Sequence, residues 1–191
     1  MKFPALFLDR DGVIIENRPN YIRSWDDVLI YPQVLDALAR VNRSDHKIII
    51  VTNQSAIGRG FITLEAADII NRRLVNVIEE AGGKVDGVFI CPHHPDEGCV
   101  CRKPKPGLLL KAAKSLSLDL SASVLIGDAL TDLEAGKAAG VSRLVLVRTG
   151  RGAAQSSLIN IHDLGEEVMI CNTLADALWS LAATHESGDN K

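Results

Sequence analysis

Two aspartates at the end of an apolar run could take part in acid–base or nucleophilic chemistry. Asp9 and Asp11 stand two residues apart, after the apolar residues 5–8 and before Gly12. The apolar run predicts a short buried strand, and Gly12 permits a sharp turn after it. A polar turn is the ordinary alternative for such a short pattern. In open α/β sheets, however, ligands bind beyond the carboxyl ends of the strands, so these carboxylates are expected in a binding crevice.

Polar side chains follow two later apolar runs, over 47–51 and 124–126, and one lysine lies in the loop between them. These residues are Thr52, Asn53, Lys103, Asp128 and Asp132. Carboxylates that share a crevice repel each other unless a cation is present, and oxygen ligands select a hard ion such as Mg²⁺. A hydroxyl, an amide and an ammonium group beside that ion suit a phosphoryl group. Each residue alone could be a helix cap or a surface charge, but their joint occurrence predicts phosphoryl-transfer chemistry.

A second group of residues has the composition of a zinc site. Cys91, His93, Cys99 and Cys101 lie within eleven residues. Three thiolates and one imidazole suit tetrahedral Zn²⁺, and four protein ligands leave no open position, so the predicted zinc is structural. His94 is the alternative ligand to His93, and buried free cysteines are the alternative to a metal site.

The elements that must position these residues alternate along the chain. Apolar runs predict six strands over 5–8, 47–51, 88–90, 124–126, 144–147 and 168–171. Helical spacing predicts helices over 32–43, 64–81 with Thr63 as the N-cap, 108–117, 133–139 and 174–183, whereas 14–27 and 55–61 are predicted loops. This order predicts an α/β fold, a Rossmann-like three-layer sandwich with a mostly parallel sheet, no large cap domain and a zinc-stabilised loop. We expect one domain over 1–184, with the zinc loop at 91–101 and a flexible tail at 185–191.

Composition narrows the range of partners. The 191 residues are 47% hydrophobic and 24% charged, with a formal net charge of −3, as in an ordinary soluble domain. This charge gives no general attraction to nucleic acid or to an anionic membrane. No apolar stretch is long enough to span a bilayer, and the first residues do not resemble a signal peptide. We therefore expect a cytoplasmic monomer with a small-molecule substrate.

Four segments within residues 7–150 resemble the motifs of the haloacid dehalogenase superfamily of phosphatases. They are the segments that carry Asp9 and Asp11, Thr52 and Asn53, Lys103, and Asp128 and Asp132. The resemblance implies that Asp9 is the nucleophile and Asp11 the general acid and base. It implies phosphoryl contacts from Thr52, Asn53 and Lys103, and Mg²⁺ ligands from Asp9, the backbone carbonyl of Asp11, and Asp128. Asp132 is expected to orient Lys103 or a metal-bound water rather than to bind the metal directly.

Together with the Cys-x-His…Cys-x-Cys loop, these motifs resemble one branch of that superfamily. The branch contains D-glycero-D-manno-heptose 1,7-bisphosphate phosphatases and histidinol-phosphatases, and the segments 20–22, 52–60 and 147–150 are more similar to the heptose enzymes. This resemblance implies removal of the 7-phosphate from a sugar-bisphosphate substrate. The resemblance also implies that the loop 17–21 touches the substrate. The implied substrate contacts are Asn20, Tyr21, Asn53, Gln54, Ser55 and Arg102.

Three alternatives remain open from the sequence: a histidinol-phosphate phosphatase, a nucleic-acid 3'-phosphatase and a non-catalytic zinc-bearing interaction module. Two features depart from the heptose enzymes. The zinc loop is shorter, and Ala129 stands where a lysine commonly follows the metal-binding aspartate.

Overall fold

The strands form one parallel sheet. The computed structural model describes residues 1–42, 45–162, 164 and 168–186. The strands are β1 (Ala5–Leu8), β2 (Lys47–Asn53), β3 (Gly87–Cys91), β4 (Val124–Gly127), β5 (Arg143–Val147) and β6 (Val168–Cys171). Their order across the sheet is β3-β2-β1-β4-β5-β6, and every neighbouring pair is parallel. The predicted strands are confirmed, with β2 extending two residues further, to Asn53.

Helices connect the strands. They are α1 (Val34–Val41), α2 (Ser55–Gly58), α3 (Leu64–Glu80), α4 (Gly107–Leu116), α5 (Leu130–Ala139), α6 (Gly152–Gln155) and α7 (Leu174–Glu186). The prediction of a loop throughout 55–61 was wrong, because α2 occupies its first four residues, too few to show an amphipathic period. The helix predicted from 133 begins at Leu130.

Two predicted boundaries lie partly outside the described residues. Helix α1 ends at Val41, and its predicted end at Arg43 is not among the described residues. Helix α7 continues to Glu186, so residues 185 and 186 of the predicted tail are helical, and 187–191 lie outside the described residues. The domain limits of 1–184 and 185–191 stay predictions.

The core lies on both faces of the sheet. Alternate residues of a strand point to opposite faces. Leu6 and Leu8 of β1 accordingly pack in a cluster with α1, α3 and α7, whereas Ala5 and Phe7 pack in a second cluster with α4 and α5. All four side chains are buried. These two apolar layers confirm the three-layer sandwich.

The order of the strands brings the predicted site residues together at one edge of the sheet. β1 lies between β2 and β4, so the order of the chain reverses at this point, and ligands of such sheets bind in the crevice beside it. The carboxyl ends of β1, β2 and β4 therefore meet at one edge. Within the described residues no large cap domain is inserted, and no helix is long and apolar enough to cross a membrane.

The N-cap of α3 can be tested directly. The Thr63 hydroxyl accepts a hydrogen bond of 3.1 Å from the backbone N–H of Ala66. We expect Thr63→Ala to lower the free energy of unfolding by about 1 kcal/mol in urea denaturation. Thr63→Ser keeps the hydroxyl and should stay close to the wild-type value. Equal losses in both variants would contradict the assigned cap.

Candidate active site

Lys103 joins two aspartates at the carboxyl edge of the sheet. Its Nζ lies 2.6 Å from Asp9 Oδ1 and 2.7 Å from Asp132 Oδ1, and donates a 2.8 Å hydrogen bond to the Val51 carbonyl. Lys103 is only 3% exposed and Asp9 only 5%. A buried ammonium group is tolerated when its donors are paired in this way. Lys103 is thus held by β2, by the residue that follows β1 and by α5.

The electrostatics of this cluster favour an additional cation. Burial raises the pKa of Asp9 to about 8; Lys103 lowers it, but repulsion from Asp132 and Asp128 adds to the rise. Burial by itself would lower the pKa of Lys103, yet Asp132 and Asp9 outweigh that effect and raise it above its ordinary value. Lys103 therefore stays charged, and the cluster lacks enough positive charge to keep Asp9 fully ionised at neutral pH.

Asp128 is the most enclosed acid of the site. It is 0% exposed and accepts hydrogen bonds from Asn17 Nδ2 at 2.8 Å and from the backbone N–H of Arg151 at 2.9 Å. The Arg151 guanidinium adds a 3.0 Å ion pair. Gly12, with φ of +92°, lies so close that a Cβ there would overlap the Asp128 carboxylate. The glycine after the aspartate pair is thus needed both for the turn and for the space that Asp128 occupies.

The donor set fits a hard divalent ion. Oxygens of Asp9, Asp128 and Asp132 lie within 4.8 Å of one another, and all three residues are buried. Carboxylate oxygens are the protein ligands that Mg²⁺ prefers. Asp132 is also held by Lys103 and by the backbone N–H of Ala129, at 3.1 Å. Its expected role in orienting Lys103 agrees with these contacts, and the ligand role of the Asp11 carbonyl stays a prediction.

Asp11 belongs to a separate hydrogen-bond network. Its carboxylate accepts hydrogen bonds from Gln54 Nε2 at 2.9 Å and from Thr52 Oγ1 at 3.3 Å, and pairs with Arg10 Nε at 3.0 Å. Gln54 also donates to Thr52 Oγ1, at 2.8 Å. Thr52 and Gln54, predicted to contact phosphate and substrate, thus contact Asp11 in the structure.

Asn53 contacts the backbone of Lys103. Its Nδ2 donates to the Lys103 carbonyl, and its Oδ1 accepts from the Lys103 N–H, both at 3.1 Å. This pair of bonds fixes the loop that carries the lysine. Asn53 therefore positions Lys103, whatever contact it makes with a substrate.

A cavity of about 650 Å³ opens above these groups. Most of the predicted substrate and phosphoryl contacts line it, namely Tyr21, Thr52, Asn53, Gln54, Ser55, Arg102 and Lys103. Asn20 is exposed and is not among the lining residues. The cavity holds Asp9 and Asp11 at its wall, so a phosphate ester could reach both.

Sequence reasoning did not foresee the contacts that four polar residues make around the acids. Asn17 and Arg151 bind Asp128, and Arg10 and Asn71 form part of the Asp11 network. Arg10 carried the one available signal, a charged residue that directly continues a buried strand. Asn17 in a loop, Arg151 in a turn and Asn71 in a helix lie in segments without any distinctive local pattern.

The three predicted cysteines and His93 converge. Cys101 Sγ lies 3.3 Å from Cys91 Sγ, 3.6 Å from Cys99 Sγ and 3.2 Å from His93 Nδ1. Ligands about 2.0–2.3 Å from one tetrahedral Zn²⁺ lie roughly 3.5–3.8 Å apart. The separations here are mostly slightly shorter than these values, so the four side chains lie close enough together to share one zinc ion. The ligand atoms that come within 4.8 Å of one another include His93 and not the alternative, His94. His94 Nδ1 accepts a hydrogen bond from the backbone N–H of Asp96 instead.

Cys91 can bind a metal only as the thiolate. Cys91 is completely buried, and burial raises the pKa of its thiol to about 12. Such a thiol ionises at neutral pH only when a cation compensates the charge. The loop ends at Cys101, directly before Arg102 and Lys103, so a bound zinc ion would hold both cations in place.

The fold and the site define a class of protein. A parallel α/β sheet carries a buried Asp–Lys–Asp cluster, a second aspartate beside a cavity and a set of oxygen ligands for Mg²⁺. This arrangement is that of a metal-dependent phosphatase.

Comparisons with known proteins give the family. A family model described as HAD-hydrolase-like matches residues 100–177. A D-glycero-beta-D-manno-heptose-1,7-bisphosphate 7-phosphatase from Pseudomonas aeruginosa is 41% identical over 152 residues, covering 80% of this chain and 85% of the relative. One from Bordetella bronchiseptica is 35% identical over 170 residues, covering 89% and 93%.

A solved structure indicates the same family as these relatives. The crystal structure of D,D-heptose 1,7-bisphosphate phosphatase from B. bronchiseptica, complexed with magnesium and phosphate, superposes with a TM-score of 0.88 at 34% identity. The match covers 96% of this chain and 99% of that one. The chain belongs to the HAD-like hydrolases, in the family of heptose 1,7-bisphosphate 7-phosphatases. This confirms the resemblance predicted from the sequence.

The zinc site gives a metal-content test. We expect about one zinc ion per wild-type chain by mass spectrometry, and less than half of that in Cys99→Ser, because three ligands bind zinc more weakly than four. Cys171 lies outside the cluster. Cys171→Ser is therefore the matched control and should retain full zinc content. Unchanged zinc in Cys99→Ser would refute the site.

Proposed function

We propose that this protein is a Mg²⁺-dependent phosphatase that removes the 7-phosphate of D-glycero-D-manno-heptose 1,7-bisphosphate through an aspartyl-phosphate on Asp9. The observation that carries this proposal is the buried cluster in which Lys103 Nζ lies 2.6 Å from Asp9 and 2.7 Å from Asp132. An isolated buried acid would be a poor nucleophile because it holds its proton. The positive charge of Lys103 stabilises the ionised carboxylate of Asp9 and the oxygens of the incoming phosphoryl group.

In the first step, an Asp9 carboxylate oxygen forms a bond to phosphorus while the bond from phosphorus to the sugar oxygen breaks. Asp11 gives its proton to that departing oxygen, which leaves as the alcohol. Lys103 and Thr52 line the cavity beside both acids and are assigned to the phosphoryl oxygens.

In the second step, Asp11, now a carboxylate, takes a proton from water as that water attacks phosphorus. The bond to Asp9 breaks, and inorganic phosphate and the free Asp9 carboxylate result. A magnesium ion held by Asp9, Asp128 and the Asp11 carbonyl would supply the positive charge that the acids and the phosphate together lack. Zn²⁺ on Cys91, His93, Cys99 and Cys101 is structural in this proposal.

Arg102 supports a substrate with a phosphate group. It lines the cavity, and its Nη1 is buried with no hydrogen-bond partner among the residues that the structure describes. A buried unpaired guanidinium nitrogen is costly, and an anionic ligand would satisfy it. We assign Arg102 to recognition of the sugar phosphate, with Tyr21 and Ser55 as further contacts at the cavity wall. Monomeric state and cytoplasmic location stay predictions.

A phosphate-release panel tests the substrate. With Mg²⁺ present, we expect a kcat/KM at least about tenfold higher for heptose 1,7-bisphosphate than for histidinol phosphate, a difference of about 1.4 kcal/mol in transition-state binding. Chelation of Mg²⁺ should abolish release from both.

Asp9→Asn is the control for the same panel. It should lose at least about 10³-fold in kcat, since the amide cannot form the acyl-phosphate. Activity that persists in Asp9→Asn would refute the nucleophile, and faster turnover of histidinol phosphate would replace the assigned substrate with that alternative.

Removing the Arg102 side chain tests phosphate recognition. Loss of a charge-assisted contact of about 1.5–3 kcal/mol should raise KM for the bisphosphate by roughly 10- to 100-fold in Arg102→Ala, with a smaller effect on kcat. Arg40→Ala removes an equal charge from an exposed ion pair on α1 and should leave KM unchanged. A wild-type KM in Arg102→Ala would contradict the assignment.

A further inference from the structure

Arg10 is a completely buried cation whose role the mechanism above does not use. It is only 1% exposed and stands between the two catalytic aspartates. Burying a guanidinium group is costly unless its donors are satisfied. Arg10 therefore either stabilises the fold or orients one of the neighbouring aspartates.

The contacts of Arg10 are directed at Asp11. Nε and Nη2 bond to the two carboxylate oxygens of Asp11 at 3.0 and 3.2 Å, a bidentate arrangement. Nη1 donates to Asn71 Oδ1 at 2.7 Å, and Nη2 also donates to Gln54 Oε1 at 2.9 Å. The guanidinium plane is thus fixed by α3 on one side and by the end of β2 on the other.

The same contacts fix the carboxylate. Gln54 donates from Nε2 to Asp11 Oδ2 while its Oε1 accepts from Arg10, so both ends of one amide hold the pair together. The side chain of Asp11 keeps 23% of its surface exposed toward the cavity, against 2% for that of Arg10. The carboxylate of Asp11 is therefore held in one orientation, with part of the side chain accessible from the cavity.

We propose that Arg10, held by Asn71 and Gln54, is a positioning residue that orients Asp11 for proton transfer to the leaving oxygen. The inference rests on the proposed function. A proton is transferred efficiently only when donor and acceptor are within hydrogen-bond reach, and a freely rotating carboxyl group would spend most of its time elsewhere. Fixing one orientation raises the fraction of bound substrate that can react.

The test uses the dependence of acid catalysis on the leaving group. A sugar alkoxide is strongly basic and needs a proton as it departs, whereas p-nitrophenolate leaves without one. The kcat/KM value reports transfer to Asp9 and excludes the later hydrolysis of the aspartyl-phosphate, which is common to both substrates. The ratio of kcat/KM for the sugar phosphate to that for p-nitrophenyl phosphate therefore isolates the contribution of the acid.

For Arg10→Lys we expect this ratio to fall at least about tenfold, since lysine keeps the charge but loses the bidentate geometry. Asn71→Ala, which removes only the support of Arg10, should lower it by roughly three- to tenfold. Leu74→Ala is the matched control, because Leu74 is buried on the same helix outside this network. It should lower stability without changing the ratio.

A double-mutant cycle completes the test. Asp11→Asn should lower the ratio most, and adding Arg10→Lys to it should change the ratio no further, because the two residues act as one unit. A ratio unchanged in both Arg10→Lys and Asn71→Ala, or a further additive loss in the double variant, would overturn the inference. A wild-type protein that releases phosphate from no ester would instead refute the proposed function.

Discussion

Buried carboxylates at one edge of the sheet need compensating charge, and Lys103 supplies it from a loop between β3 and α4. Its ammonium group reaches Asp9 after β1, Asp132 in α5 and the carbonyl of Val51 in β2. The ends of separate elements are thereby joined through one buried cation. Without it the carboxylates would repel each other or take up protons, and the crevice could not hold an ionised Asp9.

The position of that lysine depends on two further features. Asn53 forms two hydrogen bonds with the Lys103 backbone, and the cysteine and histidine cluster ends two residues before it. The predicted zinc loop is too short to build an apolar core of its own. Bonds to a metal would order it in place of apolar packing. A metal bound in this loop would therefore be connected to the cluster around Lys103 through the backbone at Arg102.

The two aspartates of the first motif differ because their surroundings differ. Asp9 is paired with Lys103 in a buried cluster. Asp11 is held by Arg10, and part of its side chain stays exposed to the cavity. Arg10 continues the alternation of Leu6 and Leu8 and so meets α3, which reaches it through Asn71. One buried, charge-paired acid and one oriented, accessible acid suit nucleophilic attack and proton transfer respectively.

The sequence by itself determined the strands, most helices, the acids at strand ends and the group of cysteines and histidine predicted to bind zinc. Those features depend on local spacing, such as the alternation in β1 or three cysteines within eleven residues. Only the tertiary structure decided the partners of the charged groups at the site: Asn71 for Arg10, 61 residues away, and Asn17 for Asp128, 111 residues away. A hydrogen bond is specified by distance in space, and neither residue carries a local pattern that reports which distant group the fold brings beside it.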